Sequence, residues 1–238
     1  MKSQKRNNLE ISTHKNVSYI LNLETATKNC SVAIAKDGKT ILCKEMAEAG
    51  YSHAEKLHVF IEECLQELQL IPKDLSAVAV SQGPGSYTGL RIGVSAAKGL
   101  CFALDIPLIA IDTLQVLASQ LSISEGIIIP MIDARRMEVY SAIFNSEAEK
   151  IREVKAEIIT EESFLESTET IHFVGDCSEK AKTVLTSQNF IFHDEMVYPS
   201  AKEMGLLSFN KFQKKDFVDV AYFEPYYLKD FMITVSKK

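Results

Sequence analysis

Closely spaced cysteine pairs are missing from this 238-residue chain. Its five cysteines, Cys30, Cys43, Cys64, Cys101 and Cys177, are scattered, odd in number and without a CxxC pair. That argues against a disulfide framework and a structural zinc, and it fits a reducing cytoplasm with buried, inert thiols. Also lacking is any run approaching the roughly 20 apolar residues of a membrane span. Residues 1–16, MKSQKRNNLEISTHKN, are basic but have no apolar segment behind them. They read as a polar, disordered extension and not as a signal peptide. Lys2, Lys5, Arg6 and Lys15 offer nucleic acid a foothold there, although a solvated tail is the plainer reading. Positive charge is not in excess: the net charge of −6 argues against polyanion binding by bulk electrostatics. Any RNA would be held by a partner. No Ser-His-Asp or Cys-His arrangement shows a local signature.

What is present is ordinary for a globular α/β protein, with 46% hydrophobic and 24% charged residues. VSYILNLET from Val17 reads as a buried strand. Two more strands flank Asp37-Gly38, a hairpin signal, so the chain opens as an antiparallel meander. Ser52–Leu70 has a helical apolar stripe of Leu57, Phe60, Ile61, Cys64, Leu65 and Leu68, with Ser52 as its cap and Pro72 beyond its end. A strand, a Gly-Pro-Gly loop and a helix over Thr88–Leu104 follow, then a strand IPLIAID and a helix from Thr113 to about Ser122. The pattern then restarts. Strands end at Asp133 and span Glu138–Phe144 and Glu153–Ile159. A short helix over Glu161–Glu166, a strand TIHFVGD, and helices over Ser178–Ser187 and Ala201–Lys214 complete it. AYFEPYYLKDF is an extended aromatic segment that ties back onto the body. Two related lobes are therefore expected, over 17–122 and 123–238.

The organising stretch is Ser76–Leu104. Its helix carries only Arg91, Ser95 and Lys98 as clearly polar side chains past its start, all on one edge. A helix this apolar is buried on more than one side. Gly83, Gly85 and Ser86 are weak phosphate-cradle candidates, since glycines between strand and helix let backbone donors approach a phosphate. The GxGxxxG spacing fits neither the dinucleotide nor the Walker pattern, and Pro84 removes a donor. A tight turn capped by Ser86 or Thr88 is the simpler reading. Within the helix, Gly89, Gly93, Ala97 and Cys101 make a smooth ridge. Mid-helix glycines cost about 1 kcal/mol each against alanine, so close packing is expected there.

Other candidates have plain alternatives. His53 and His58 lie about 140° apart on their helix, which does not suit a metal pair. His14, His172 and His193 have no partner at ligand spacing. Glu24 could hold a metal or a phosphate-bound water, while Thr25 and Thr27 could simply hydrogen-bond their own turn. Asp133, Arg135, Arg136 and Glu138 form either an inter-lobe ion network or a pocket edge.

LETAT (Leu23–Thr27), GPGSYTGLRIG (Gly83–Gly93), IDAR with EVY (Ile132–Tyr140) and PYYLKD (Pro225–Asp230) together resemble the TsaB (YeaZ) family. Its members are subunits of the machinery that makes N6-threonylcarbamoyladenosine in tRNA. The resemblance runs from Val17 to Asp230 and implies an α/β actin/hexokinase/Hsp70-like (ASKHA) fold of two duplicated lobes. Each lobe would have a mixed sheet flanked by helices. It also implies a non-catalytic scaffold, without catalytic, metal or cofactor residues of its own. The catalytic relative TsaD carries an HxxxH metal pair and binds ATP. Here SHAEKLH lacks that pair, and Glu24-Thr25-Ala26-Thr27 lacks the glycine of a phosphate-binding Asp-x-Gly-Thr turn.

By the same resemblance, helices Ser52–Leu70 and Thr88–Leu104 pair with TsaD, or with a second copy when the chain is alone. The expected contacts are Leu57, Phe60, Ile61, Cys64, Leu90, Gly93, Val94, Ala97 and Cys101. TsaE would supply ATPase function, with ATP and metal on the partner subunits and tRNA reached through the complex. The chain would hold TsaD competent to transfer threonylcarbamoyl to the adenosine 3′ of the anticodon. The rival is a stand-alone enzyme of the same superfold, a small-molecule kinase or a glycoprotease-like metallopeptidase.

Overall fold

The computed structural model describes residues 17–47 and 53–228. The expected extension 1–16, the Ser52 cap and Asp230 lie outside the described residues. Strands β1 (Tyr19–Glu24), β2 (Asn29–Lys36) and β3 (Lys39–Ala47) form the opening meander. Asp37 and Gly38 both take positive φ, as the Asp-Gly signal requires. Helix α1 (His53–Glu67), β4 (Leu75–Gly83), α2 (Tyr87–Leu104), β5 (Leu108–Asp112) and α3 (Thr113–Ala118) follow. The second half has β6 (Ile127–Asp133), β7 (Glu138–Phe144), β8 (Lys150–Ile158), β9 (Ile171–Val174), α4 (Ser178–Ala181), β10 (Phe190–Phe192) and α5 (Met204–Lys214).

Two five-stranded sheets result, with orders β3-β2-β1-β4-β5 and β10-β9-β6-β7-β8. Read from β8, the second repeats the first strand for strand. In each, the first three strands are antiparallel and the last two run parallel to the first. The duplication expected from the sequence is thus present in topology. β1, β2, β4 and β5 are buried on both faces, which explains their unbroken apolar runs. β3 and β8 alternate because they are edge strands.

Side-chain alternation sends Leu21, Leu23, Val32, Val78 and Val80 to one face of the first sheet, where α1 and α2 cover them. Ile20, Ala33, Ala77, Ala79, Ile109 and Ile111 go to the other face, where Ala201 and Met204 cover them. The chain boundary expected at 122/123 is therefore not a boundary of packing. α5, from the second half, lies on the first sheet. Reciprocally, Leu114, Leu117 and Ala118 of α3 pack on Ile128, Ala142, Phe144 and Val174 of the second sheet. Lys150 ion-pairs with Asp112 at 2.8 Å, and Asn29 Nδ2 donates to the Pro199 carbonyl at 3.1 Å.

Several local readings are corrected. Residues 161–166 form turns instead of a helix: Phe164 takes φ 64°, and the Thr160 N–H donates to Ser163 Oγ. The helix expected over Ser178–Ser187 is regular only to Ala181. α3 stops at Ala118, and the three-residue β10 is too short to stand out by periodicity. α1 closes through Gln69 at φ 55°, before Pro72 opens a 3-10 turn.

Met204 is fully buried against the first sheet. Met204→Ala should lower stability by about 2–5 kcal/mol in urea unfolding, the range for emptying a packed methionine site. A neutral result would show that α5 is dispensable to the first sheet.

Candidate functional site

The site begins where β4 gives way to α2. Ser86 is the N-cap of α2, its Oγ accepting the Gly89 N–H at 3.3 Å. The Ser86 N–H donates to the Ala26 carbonyl at 2.6 Å, and the Gly83 N–H donates to Thr113 Oγ1 at 3.1 Å. Two donors of the candidate phosphate cradle are thus spent on the protein itself.

The glycines have the same occupant. A Cβ on Gly85 would stand 2.3 Å from the Ala26 carbonyl oxygen, and one on Gly89 2.0 Å from that of Thr25. On Gly93 it would stand 2.3 Å from Thr25 Oγ1. Thr25 Oγ1 itself donates to the Gly89 carbonyl at 2.8 Å. The ridge is a seat for the turn between β1 and β2.

Glu24 leads that turn and is fully buried. Its Oε1 accepts the Ala26 N–H at 2.6 Å. Burial pushes its carboxyl from 4.5 up to about 7, with the Ala26 N–H holding it back. His53 is also turned inward, its Nε2 2.9 Å from the Thr27 carbonyl, while His58 is exposed on α1. The two histidines do not converge, as their spacing suggested. The thiols are all free, and burial pushes Cys30, Cys64 and Cys101 to about 11 and Cys43 to about 12. Cys177 is pushed higher still.

The Asp133 cluster closes on Lys180. Its ammonium pairs with Asp133 and donates to the carbonyls of Arg136 at 2.9 Å and Glu138 at 2.7 Å. Arg135 and Arg136 take positive φ in that tight connection. Lys180 and these three partners all lie within the second half of the chain.

Leu57, Phe60, Ile61, Cys64, Leu90, Gly93, Val94, Ala97 and Cys101 were expected to meet a partner. All are buried inside the first lobe. Periodicity found an apolar stripe, but the stripe belongs to the sheet that α1 and α2 cover. The surface those helices leave open is different. Ala54, His58, Arg91, Ile92, Ser95, Ala96, Gly99 and Leu100 line a shallow groove of about 580 Å³ between them. A Cβ on Gly99 would meet nothing among the described residues within 4 Å. Phe102, one turn on, is 85% exposed. A mid-helix glycine outside the Gly89–Gly93 ridge was the signal available in the sequence, since an isolated glycine costs a helix about 1 kcal/mol against alanine.

The C-terminal segment ties back onto the body as expected, and the polar edge of α2 is what holds it. Lys98 Nζ donates to the carbonyls of Ala221 and Phe223, both at 3.0 Å. The Arg91 guanidinium stacks 4.0 Å from the Tyr87 ring centroid, and its Nε donates to Tyr227 Oη at 3.2 Å.

Two tests follow from this geometry. Gly89→Ala should lower stability by about 1–3 kcal/mol because the methyl meets backbone. Gly99→Ala, the same change in open space, should raise stability by about 1 kcal/mol. Equal effects in paired urea unfolding would contradict the distinction. For Glu24, the folded state holds its proton more tightly than the unfolded chain. Its contribution to stability therefore declines as pH rises from about 4.5 to about 7. Glu24→Gln should flatten that decline and stabilise the protein at pH 8, by on the order of 3 kcal/mol. A variant less stable than its parent at pH 8 would refute the assignment.

The family model of TsaD, tRNA N6-adenosine threonylcarbamoyltransferase, matches residues 47–235. The chain is 29% identical over 219 residues to the tRNA threonylcarbamoyladenosine biosynthesis protein TsaB of Bacillus subtilis strain 168, covering 88% of this chain and 93% of that protein. It is 29% identical over 221 residues to TsaB of Escherichia coli K12, covering 89% and 94%. The solved structure of YeaZ from Pseudomonas aeruginosa superposes with a TM-score of 0.78 at 24% identity, over 89% of this chain and all (100%) of that one. The duplicated sheets are those of the actin/hexokinase/Hsp70-like fold. By its matching family model and near full-length relatives, the chain belongs to the TsaD-type family and, within it, to the TsaB (YeaZ) group.

Proposed function

We propose that this chain acts in tRNA threonylcarbamoyladenosine biosynthesis as a non-catalytic subunit that holds a TsaD-type catalytic partner. The single observation carrying this reading is the open α1–α2 face. There Ser95, Ala96 and Gly99 are small, Ile92 and Leu100 are half-buried, and a Cβ on Gly99 would meet nothing among the described residues within 4 Å. Small side chains let a second helix pair approach closely, and the flanking apolar groups supply buried area. The partner is a TsaD-type subunit in the working assembly and a second copy of this chain when it is alone. The seating of the β1–β2 turn on Gly85, Gly89 and Gly93 supports a structural use of the glycine loop.

ATP and metal belong, on this reading, to the TsaD- and TsaE-type subunits, and tRNA is engaged through the complex. The setting is cytoplasmic. Threonylcarbamoyl passes to the adenosine 3′ of the anticodon on the catalytic partner, with this chain fixing the partner's shape.

The test is co-purification with the TsaD-type subunit of the same source. Gly99→Arg and Ala96→Glu should each abolish it while leaving circular dichroism unchanged. Retained co-purification of both variants would overturn the interface. Titration of the isolated protein with Mg-ATP should show no micromolar binding, and such binding would favour the kinase reading instead.

A further inference from the structure

Two aromatic side chains beside the α1–α2 face stand out in water. Among the described residues, Phe102 and Tyr222 are the most exposed large hydrophobic groups, at 85% and 84%. They come from separate elements and flank one ammonium. Phe102 lies one helical turn beyond Lys98. Lys98 Nζ in turn donates to the carbonyls of Ala221 and Phe223, on either side of Tyr222.

Both rings are carried on fixed backbone. Phe102 is within α2. Around Tyr222, Asp219 Oδ1 accepts the N–H groups of Ala221 at 2.7 Å and Tyr222 at 3.0 Å. Val218 bridges to Leu108, and Val218, Val220 and Phe223 pack against the first-lobe core. A ring held in water by so well anchored a backbone loses little freedom when a partner covers it.

The outward face of α2 has a matching shape. At 100° per residue, Thr88, Ser95, Gly99 and Phe102 fall within about 60° of one another, and all four are exposed. The first three make a track of short side chains, and Phe102 is a knob at its end. Charge is also matched within the face, with Glu55 and Glu62 exposed on α1 and Arg91 exposed on α2. A knob with a track, and acid with base, on one face are what a two-fold contact between identical chains requires. Eight residues line the groove, whereas a stable interface takes about 20–30 residues a side. A stable contact therefore has to run beyond the groove, and Phe102 and Tyr222 mark the direction.

We propose that, when two copies of this chain associate, the returning C-terminal segment is a third docking element beside α1 and α2, with Phe102 and Tyr222 as the aromatic anchors. The inference rests on the α1–α2 face being the partner surface. Each Phe102 enters the open strip over Ser95 and Gly99 of the other copy. Tyr222 covers the rim beside it, its ring on apolar groups and its hydroxyl at the wet edge.

The test is sedimentation of the full chain over a concentration series, which gives the dimer constant. Phe102→Ala and Tyr222→Ala should each weaken it by about tenfold or more, as loss of a central aromatic anchor does. Circular dichroism should not change, because both rings are in water in the single chain. Tyr222→Phe should keep the parent's constant, and so should Leu206→Ala at an exposed position of α5. A parent that stays monomeric throughout, or parent-like constants in both alanine variants, would overturn the proposal. Gly99→Arg separates it from the reading beneath it. If Gly99→Arg abolishes the dimer while Phe102→Ala and Tyr222→Ala keep it, the α1–α2 face stands and the C-terminal element falls. If the dimer survives Gly99→Arg, the face itself falls.

Discussion

The β1–β2 turn sits so close to α2 that only glycine fits beneath it. The Thr25 carbonyl occupies the space of a Gly89 side chain, and Thr25 Oγ1 occupies that of Gly93. Two glycines inside a helix would weaken it in isolation by about 1 kcal/mol each. Here they bring β1 and α2 within hydrogen-bond reach, with Thr25 bonded to the Gly89 carbonyl and the Ser86 N–H bonded to Ala26. That contact fixes the angle of α2 on the sheet, and α2 in turn fixes where α1 and the C-terminal segment rest.

The same turn explains the chemistry of Glu24. In a phosphate-binding version of such a turn, space over the strand end stays open to ligand and solvent. Here the backbone of Thr25 and Ala26 fills the glycine slots, and Glu24 is sealed behind it on the face shared with Ser81. A carboxyl shut away from water is held by a backbone donor, and its proton affinity rises to match. Dense packing and a displaced carboxyl equilibrium are two results of one close approach.

Much of the architecture was legible because its periods are strong. The Asp37-Gly38 hairpin, the buried β1, β4 and β5, the capped α2 and the restart after Gly126 all have local signatures. Elements that depend on distant partners were not. β10 has three residues and exists because β9 offers it an edge. The place of α5 is set by Ile20, Ala33, Ala77 and Ile109, all far away in sequence. His172 and His193 became neighbours only through a parallel pairing that no spacing rule encodes. Candidate site residues suffered most. The apolar stripe on α1 and the small ridge on α2 were visible, but hydrophobicity alone cannot say which layer covers a stripe.

The decisive difference lies between two kinds of small residue on one helix. Gly89 and Gly93 are small because the chain's own β1–β2 turn lies against them, and Ala97 is buried in the core of the first lobe. Ser95, Ala96 and Gly99 line the outward groove, and a Cβ on Gly99 would meet nothing among the described residues within 4 Å. Elsewhere the outward edge of α2 is committed: Arg91 stacks on Tyr87, and Lys98 caps the carbonyls of the returning C-terminal segment. The uncommitted strip lies between those anchors and α1, so its width is set by the same packing that buries the inner ridge. Among the described residues nothing stands within 4 Å of a Cβ on Gly99, so this strip is the part of α2 that the proposed partner would cover.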